Sequence, residues 1–98
     1  MDRLPIEEGR VVLSTQGRDR GRYFVVLSIP EEGYALCADG LTRRLDHPKK
    51  KKVIHIRPKP LRLALDGGYP SGRLQDSDIR AFLRENGCGP EQPLCKED

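Results

Sequence analysis

The feature that most constrains this chain is a pair of near-continuous apolar runs, RVVLST at 10–15 and YFVVLSI at 23–29, separated by a glycine-bracketed loop. β-Branched and aromatic residues favour extended backbone, so both runs are predicted strands. A strand with one wet face alternates apolar and polar side chains. These two do not, so both of their faces need cover. A chain of 98 residues makes one small domain, and within it a small closed sheet supplies that cover better than a surface ribbon.

The remaining punctuation fits short strands joined by tight turns. Pro30-Glu31-Glu32-Gly33 is a turn, and YALCA at 34–38 is a third strand. Asp39-Gly40 is a two-residue hairpin signal, which makes 41–45 the partner strand. His47-Pro48 and the lysines 49–52 read as a connection, and VIHIR at 53–57 as a fifth strand. Five strands in fewer than 60 residues suit a small antiparallel barrel, whose closure also removes exposed edges. After Pro58 and Pro60 the pattern changes: Leu61, Leu63 and Leu65 alternate as an extended arm or a sixth strand, and 67–72 is a loop. Asp76 or Ser77 then caps a short helix to about Asn86, with Gly87 ending it. Ile79, Phe82 and Leu83 form its apolar face, which needs the barrel or a partner to cover it. The chain thus divides into a barrel at 1–60 and an extension at 61–98, with a helix at about 77–86 and a solvated tail.

Charge is uneven. Residues 1–41 carry −2, residues 42–62 carry +8 and residues 63–98 carry −3. A basic segment between acidic flanks points to an anionic partner. No stretch reaches the roughly 20 apolar residues of a membrane-spanning helix, so no membrane partner is expected. The opening MDRLPIEEG lacks the apolar core of a secretory leader. Three cysteines, Cys37, Cys88 and Cys95, form no zinc-type pair and no disulfide pattern. Reduced thiols and a cytoplasmic location are therefore expected. Cys88 follows the predicted helix, whose negative end would disfavour a thiolate, so it is not expected to be reactive.

Catalytic arrangements find little support. Gly17 and Gly21 are followed by Arg22-Tyr23-Phe24, a predicted strand, whereas a nucleotide P-loop needs a Lys-Ser/Thr pair opening a helix. His47 and His55 lie on different elements without a ligand cluster. Glu31-Glu32 is a solubilising turn tip, and no nucleophile–base pair is evident. No enzyme activity, metal or cofactor is expected. The basic residues offer more. Four successive lysines cannot all face a core, so all four are expected to be solvated, and Arg43, Arg44, His55, Arg57 and Lys59 flank them on adjacent strands. Lysines attract phosphate without regard to sequence, while arginines also read shape and base edges. Aromatic residues are few, so recognition of folded RNA through shape and backbone fits better than base stacking.

The residues Gly9-Arg10-Val11-Val12, Ser14, Gln16-Gly17, Arg18-Asp19-Arg20-Gly21 and Tyr23-Phe24-Val25-Val26 resemble a KOW motif. Its usual form is a strand, a G-x-x-K/R-G loop and a second apolar strand. The continuation Ala35-Leu36-Cys37-Ala38-Asp39-Gly40 and the later Pro-Lys-Lys-Lys-Lys run are similar to one branch of that family. The branch includes large-subunit ribosomal proteins of archaea and eukaryotes and small stand-alone bacterial KOW-domain RNA-binding proteins. The likeness spans about 8–56. Tyr23-Phe24 departs from it, since many KOW sequences have another glycine there. The resemblance implies a mainly β fold, a small SH3-like antiparallel β-barrel, here followed by the short C-terminal α-helix. It also implies association with ribosomal RNA or an assembling ribosome, with ribosomal proteins as further partners. The family's first loop contributes to RNA contact, which makes Gln16, Gly17, Arg18, Arg20, Gly21 and Arg22 candidates here. Electrostatic capture falls to Lys49, Lys50, Lys51 and Lys52 with Arg43, Arg44, His55, Arg57 and Lys59. A monomer is expected, and the alternative is a β-barrel that docks a protein partner in transcription or translation.

Overall fold

The computed structural model describes residues 4–65 and 74–88. It contains five strands, β1 (Arg10–Ser14), β2 (Tyr23–Glu31), β3 (Tyr34–Ala38), β4 (Lys49–Lys52) and β5 (Ile56–Arg62), and one helix, α1 (Asp76–Glu85). The strands form one antiparallel sheet in the order β4-β3-β2-β1-β5.

The continuous apolar runs have the expected explanation: both faces of the central strands are covered. Successive side chains alternate between faces. Val11, Leu13, Tyr23, Val25, Leu27 and Ala38 form one cluster together with Ile79 and Leu83 of α1. Val12, Phe24, Val26, Ala35, Cys37 and Ile56 form the other, with Ile6 packed against it. Burying each Val, Leu, Ile or Phe side chain contributes about 1.5–3 kcal/mol, so the central strands carry most of the hydrophobic stabilisation. The apolar face of α1 docks on the sheet, with Ile79 and Leu83 fully buried and Phe82 at the margin of the cluster. The helix begins one residue earlier than its sequence signal implies. Gln75 and Asp78 cap each other's backbone N–H groups, which frees Asp76 to accept the Leu45 N–H at 2.7 Å.

Three sequence expectations are corrected. Residues 41–45 are not a strand, and Asp39-Gly40 is not a hairpin turn. The Asp39 carboxylate instead accepts the N–H groups of Leu41 and Arg43 and the Thr42 hydroxyl, at 2.8–2.9 Å. Side-chain capping of this kind competes directly with strand pairing. The true partner of β3 is the lysine run, with Lys51 opposite Ala35 and Lys49 opposite Cys37. The expected connector is thus an outer strand, a place where lysines are tolerated because they discourage further pairing. The fifth strand also moves: Val53–His55 is a 3₁₀ turn, and β5 runs on through Pro58 and Pro60 to Arg62. Thr15 donates its N–H to the His55 carbonyl, and Pro58 lies opposite Val12. In that register the Pro58 nitrogen points away from β1, so no ladder hydrogen bond is lost. Leu61 is the last apolar residue of β5, and with Leu63 and Leu65 it packs against the α1-side cluster. The expected loop at 67–72 lies outside the described residues.

Candidate nucleic-acid interface

The loop between β1 and β2 is shaped by Gly17 and Gly21, at φ +80° and +89°, a region only glycine enters freely. Arg20 donates its N–H to the Gly17 carbonyl and Arg22 to the Asp19 carbonyl. Gly21 N–H and the Arg22 carbonyl close the loop onto Ser14. Thr15 ties the loop's first residue to the His55 carbonyl through both its N–H and its hydroxyl, at 2.9 Å each. Gln16, Gly17, Arg18 and Arg20 are exposed, and Arg22 is half-buried.

β4 presents its lysines alternately to the two faces. Lys51 turns inward and is only 8 % exposed. Its Nζ lies 3.3 Å from the Asp19 carboxylate and 3.3 Å from the Ser14 hydroxyl, and 5.2 Å from the centre of the Phe24 ring. The expectation that all four lysines are solvated therefore fails at this one, because a strand has an inner face. Lys50 projects from the other face, 4.8 Å from the centre of the Tyr34 ring and 3.4 Å from Glu31. Lys49 and Lys52 are exposed.

Loop and strand meet in an open groove of about 550 Å³. Gln16, Gly17 and Arg18 line it from the loop, all four lysines from β4, and Arg43 and His55 from the flanking segments. Six cationic side chains thus share it with a single carboxylate, Asp19. Sequence reasoning did not select Asp19 or Tyr34 as groove residues; the only signal for Asp19 was its place at the tip of a G-R-D-R-G loop. Arg20, Gly21 and Arg22 shape the loop but do not line the groove. Arg44 turns toward α1, with its Nε 3.5 Å from Asp76. Arg57 and Lys59 lie on β5 and also fall outside the lining.

Burial pushes the Cys37 thiol up from 9.0 to about 12, with the Lys51 charge pulling the other way. Cys37 is therefore a packed thiol rather than a nucleophile. Among the described residues, no three His, Cys, Asp or Glu side chains gather as a metal site. No helix there is long and apolar enough to cross a membrane. No family model matches the chain.

Proposed function

We propose that this chain is a non-enzymatic RNA-binding protein that works in the cytoplasm on ribosomal RNA or an assembling ribosome. Under this reading the five-stranded sheet is an SH3-like barrel of the KOW type. One observation carries the reading: two segments some thirty residues apart, the 16–19 loop and the lysine strand, converge on one cationic groove. Clustered cations in a groove attract phosphate and release its counterions. Besides the His55 imidazole, the groove has one aromatic ring, that of Tyr34, which lies under Lys50. That favours backbone and shape recognition of folded RNA over serial base stacking.

The test is ribosomal RNA binding across a range of salt concentrations, for the native chain and for a variant with Lys49, Lys50 and Lys52 changed to alanine. Where these lysines meet single-stranded phosphates of the folded RNA, each lost contact flattens the log–log salt slope by about 0.7, so a flattening of about 2 is expected. An unchanged slope removes the lysine strand from the interface. Co-sedimentation with a ribosomal subunit, reversed by moderate salt, is the cellular counterpart. Retention of the partner after nuclease treatment would favour a protein ligand instead.

A further inference from the structure

We infer that Asp19 and Lys51 form a latch that holds the 16–21 loop in its binding position. Lys51, alone among the four lysines, is then a positioning residue rather than a phosphate ligand. The inference rests on the RNA-binding reading above. Three observations carry it. First, the Lys51 ammonium is already engaged by Asp19 and Ser14 at 3.3 Å each, over the Phe24 ring. A phosphate could reach it only by displacing the carboxylate, and an ion pair this enclosed is screened far less than one in open solvent. Second, the contacts span the loop. Ser14 donates its hydroxyl hydrogen to the Gln16 carbonyl at 3.2 Å, so Lys51 is linked to the loop's beginning through Ser14 and to its middle through Asp19. Between these points stands Gly17, where a side chain would meet nothing within 4 Å. Backbone hydrogen bonds shape that turn, and the latch is what ties it to β4. Third, Asp19 is a carboxylate in a groove whose other charged side chains are cations. A groove built for charge alone would bind phosphate better without it.

The third observation supplies the test. Asp19→Ala makes the chain one unit more positive, which simple electrostatics turns into tighter RNA binding. The latch requires the opposite: Arg18 and the loop backbone lose their preset position, and ordering them again on binding weakens affinity about tenfold. The salt slope should stay unchanged, because no phosphate contact is lost. Lys51→Met fills the same space over Phe24 and should behave alike, whereas Lys52→Ala should flatten the slope by about 0.7. Lys51→Met also leaves the loop sequence intact, so faster tryptic cleavage after Arg18 and Arg20 reports release of the loop without any RNA present. Equal or tighter RNA binding by Asp19→Ala overturns the latch. So does a flattened slope with unchanged cleavage in Lys51→Met. Accelerated cleavage in a chain that binds no RNA in any form would uphold the latch and remove the RNA reading. If Lys51→Met does not fold, Asp19→Ala, altered at the more exposed partner, decides alone through affinity and slope.

Discussion

The β1–β2 loop and the longer connection between β3 and β4 each deliver an arginine to the groove, Arg18 and Arg43. Each is held by an aspartate, but the two aspartates act differently. Asp39 is 2 % exposed, and its carboxylate turns back on its own connection, accepting three hydrogen bonds within four residues. Helix α1 adds a second hold, through Asp76 on the Leu45 N–H and Arg80 on the Gly40 carbonyl. Asp19 instead reaches across to a lysine 32 residues away, and an added Cβ at Gly17 would meet nothing within 4 Å. One connection is therefore anchored at the buried Asp39 and Gly40, with the Arg43 backbone bonded at both its N–H and its carbonyl. The other is closed by hydrogen bonds at its base, and its middle reaches β4 through one charged contact; local opening takes place where such contacts are fewest. The difference assigns adaptability in the groove to Arg18 rather than to Arg43.

Alanine at one glycine of each connection should separate them most widely. Gly40 has φ +78°, and an added Cβ would run into the Asp76 carbonyl oxygen. Gly40→Ala combines backbone strain with a clash against the helix, and we expect a loss of more than about 3 kcal/mol. In a domain of this size that lowers Tm by roughly 12 °C or more. Gly17→Ala meets open space, so only the positive φ is penalised, at about 1 kcal/mol. Thermal melts giving equal losses would erase the distinction between the connections.

A smaller effect tests how Asp39 does its work. Asp39→Ala strands two backbone N–H groups and should cost about 2–3 kcal/mol in urea unfolding. Asp39→Asn should cost less than about 1 kcal/mol. One oxygen, Oδ1, accepts both backbone N–H groups, and the Thr42 hydroxyl can turn to accept from the amide. A large loss in the asparagine variant would mean that the charge, rather than the acceptor geometry, organises the connection.

What the sequence revealed and what it hid divide along the same line. β1, β2 and β3 were legible because two covered faces leave unbroken apolar runs. Asp39-Gly40 was legible as a turn but not as the right one, since the residues that favour a hairpin also favour side-chain capping. What decided between them was the pairing of β3 with residues 49–52, a long-range choice that local pattern does not encode. The lysine run misled for a physical reason: four ammonium groups prefer water, yet an outer strand needs only one inward position, and Asp19 and Ser14 made that position tolerable for Lys51. Pro58 and Pro60 misled similarly, because an outer strand spares the N–H groups that proline lacks. The loop and the lysines could be recognised as a cationic cluster from charge alone. Asp19 and Tyr34 could not, because their place in the groove depends on which face of β4 looks inward.

The smallest effect concerns Cys37, which feels the Lys51 charge and stands two residues before Asp39, and so adjoins both systems. Its thiol stands at about 12 in the folded chain against 9.0 when unperturbed. Below pH 9 both states keep the proton, and the shift has no bearing on stability. Above pH 9 the unfolded chain releases it while the folded chain does not. Unfolding then becomes easier by about 1.4 kcal/mol per pH unit until the folded thiol also ionises. Other groups titrate in this range, so the comparison is with Cys37→Ala, whose lost volume gives an offset independent of pH. Urea unfolding at pH 8 and pH 10 should show the native chain losing about 1 kcal/mol more than the variant. Equal losses would mean that the thiol is not sealed from water. The unfolded thiol sets where this window begins, whereas burial and the Lys51 charge set where it ends. Lys51→Met should therefore leave the onset near pH 9 and move the end upward, while Asp39→Asn moves neither.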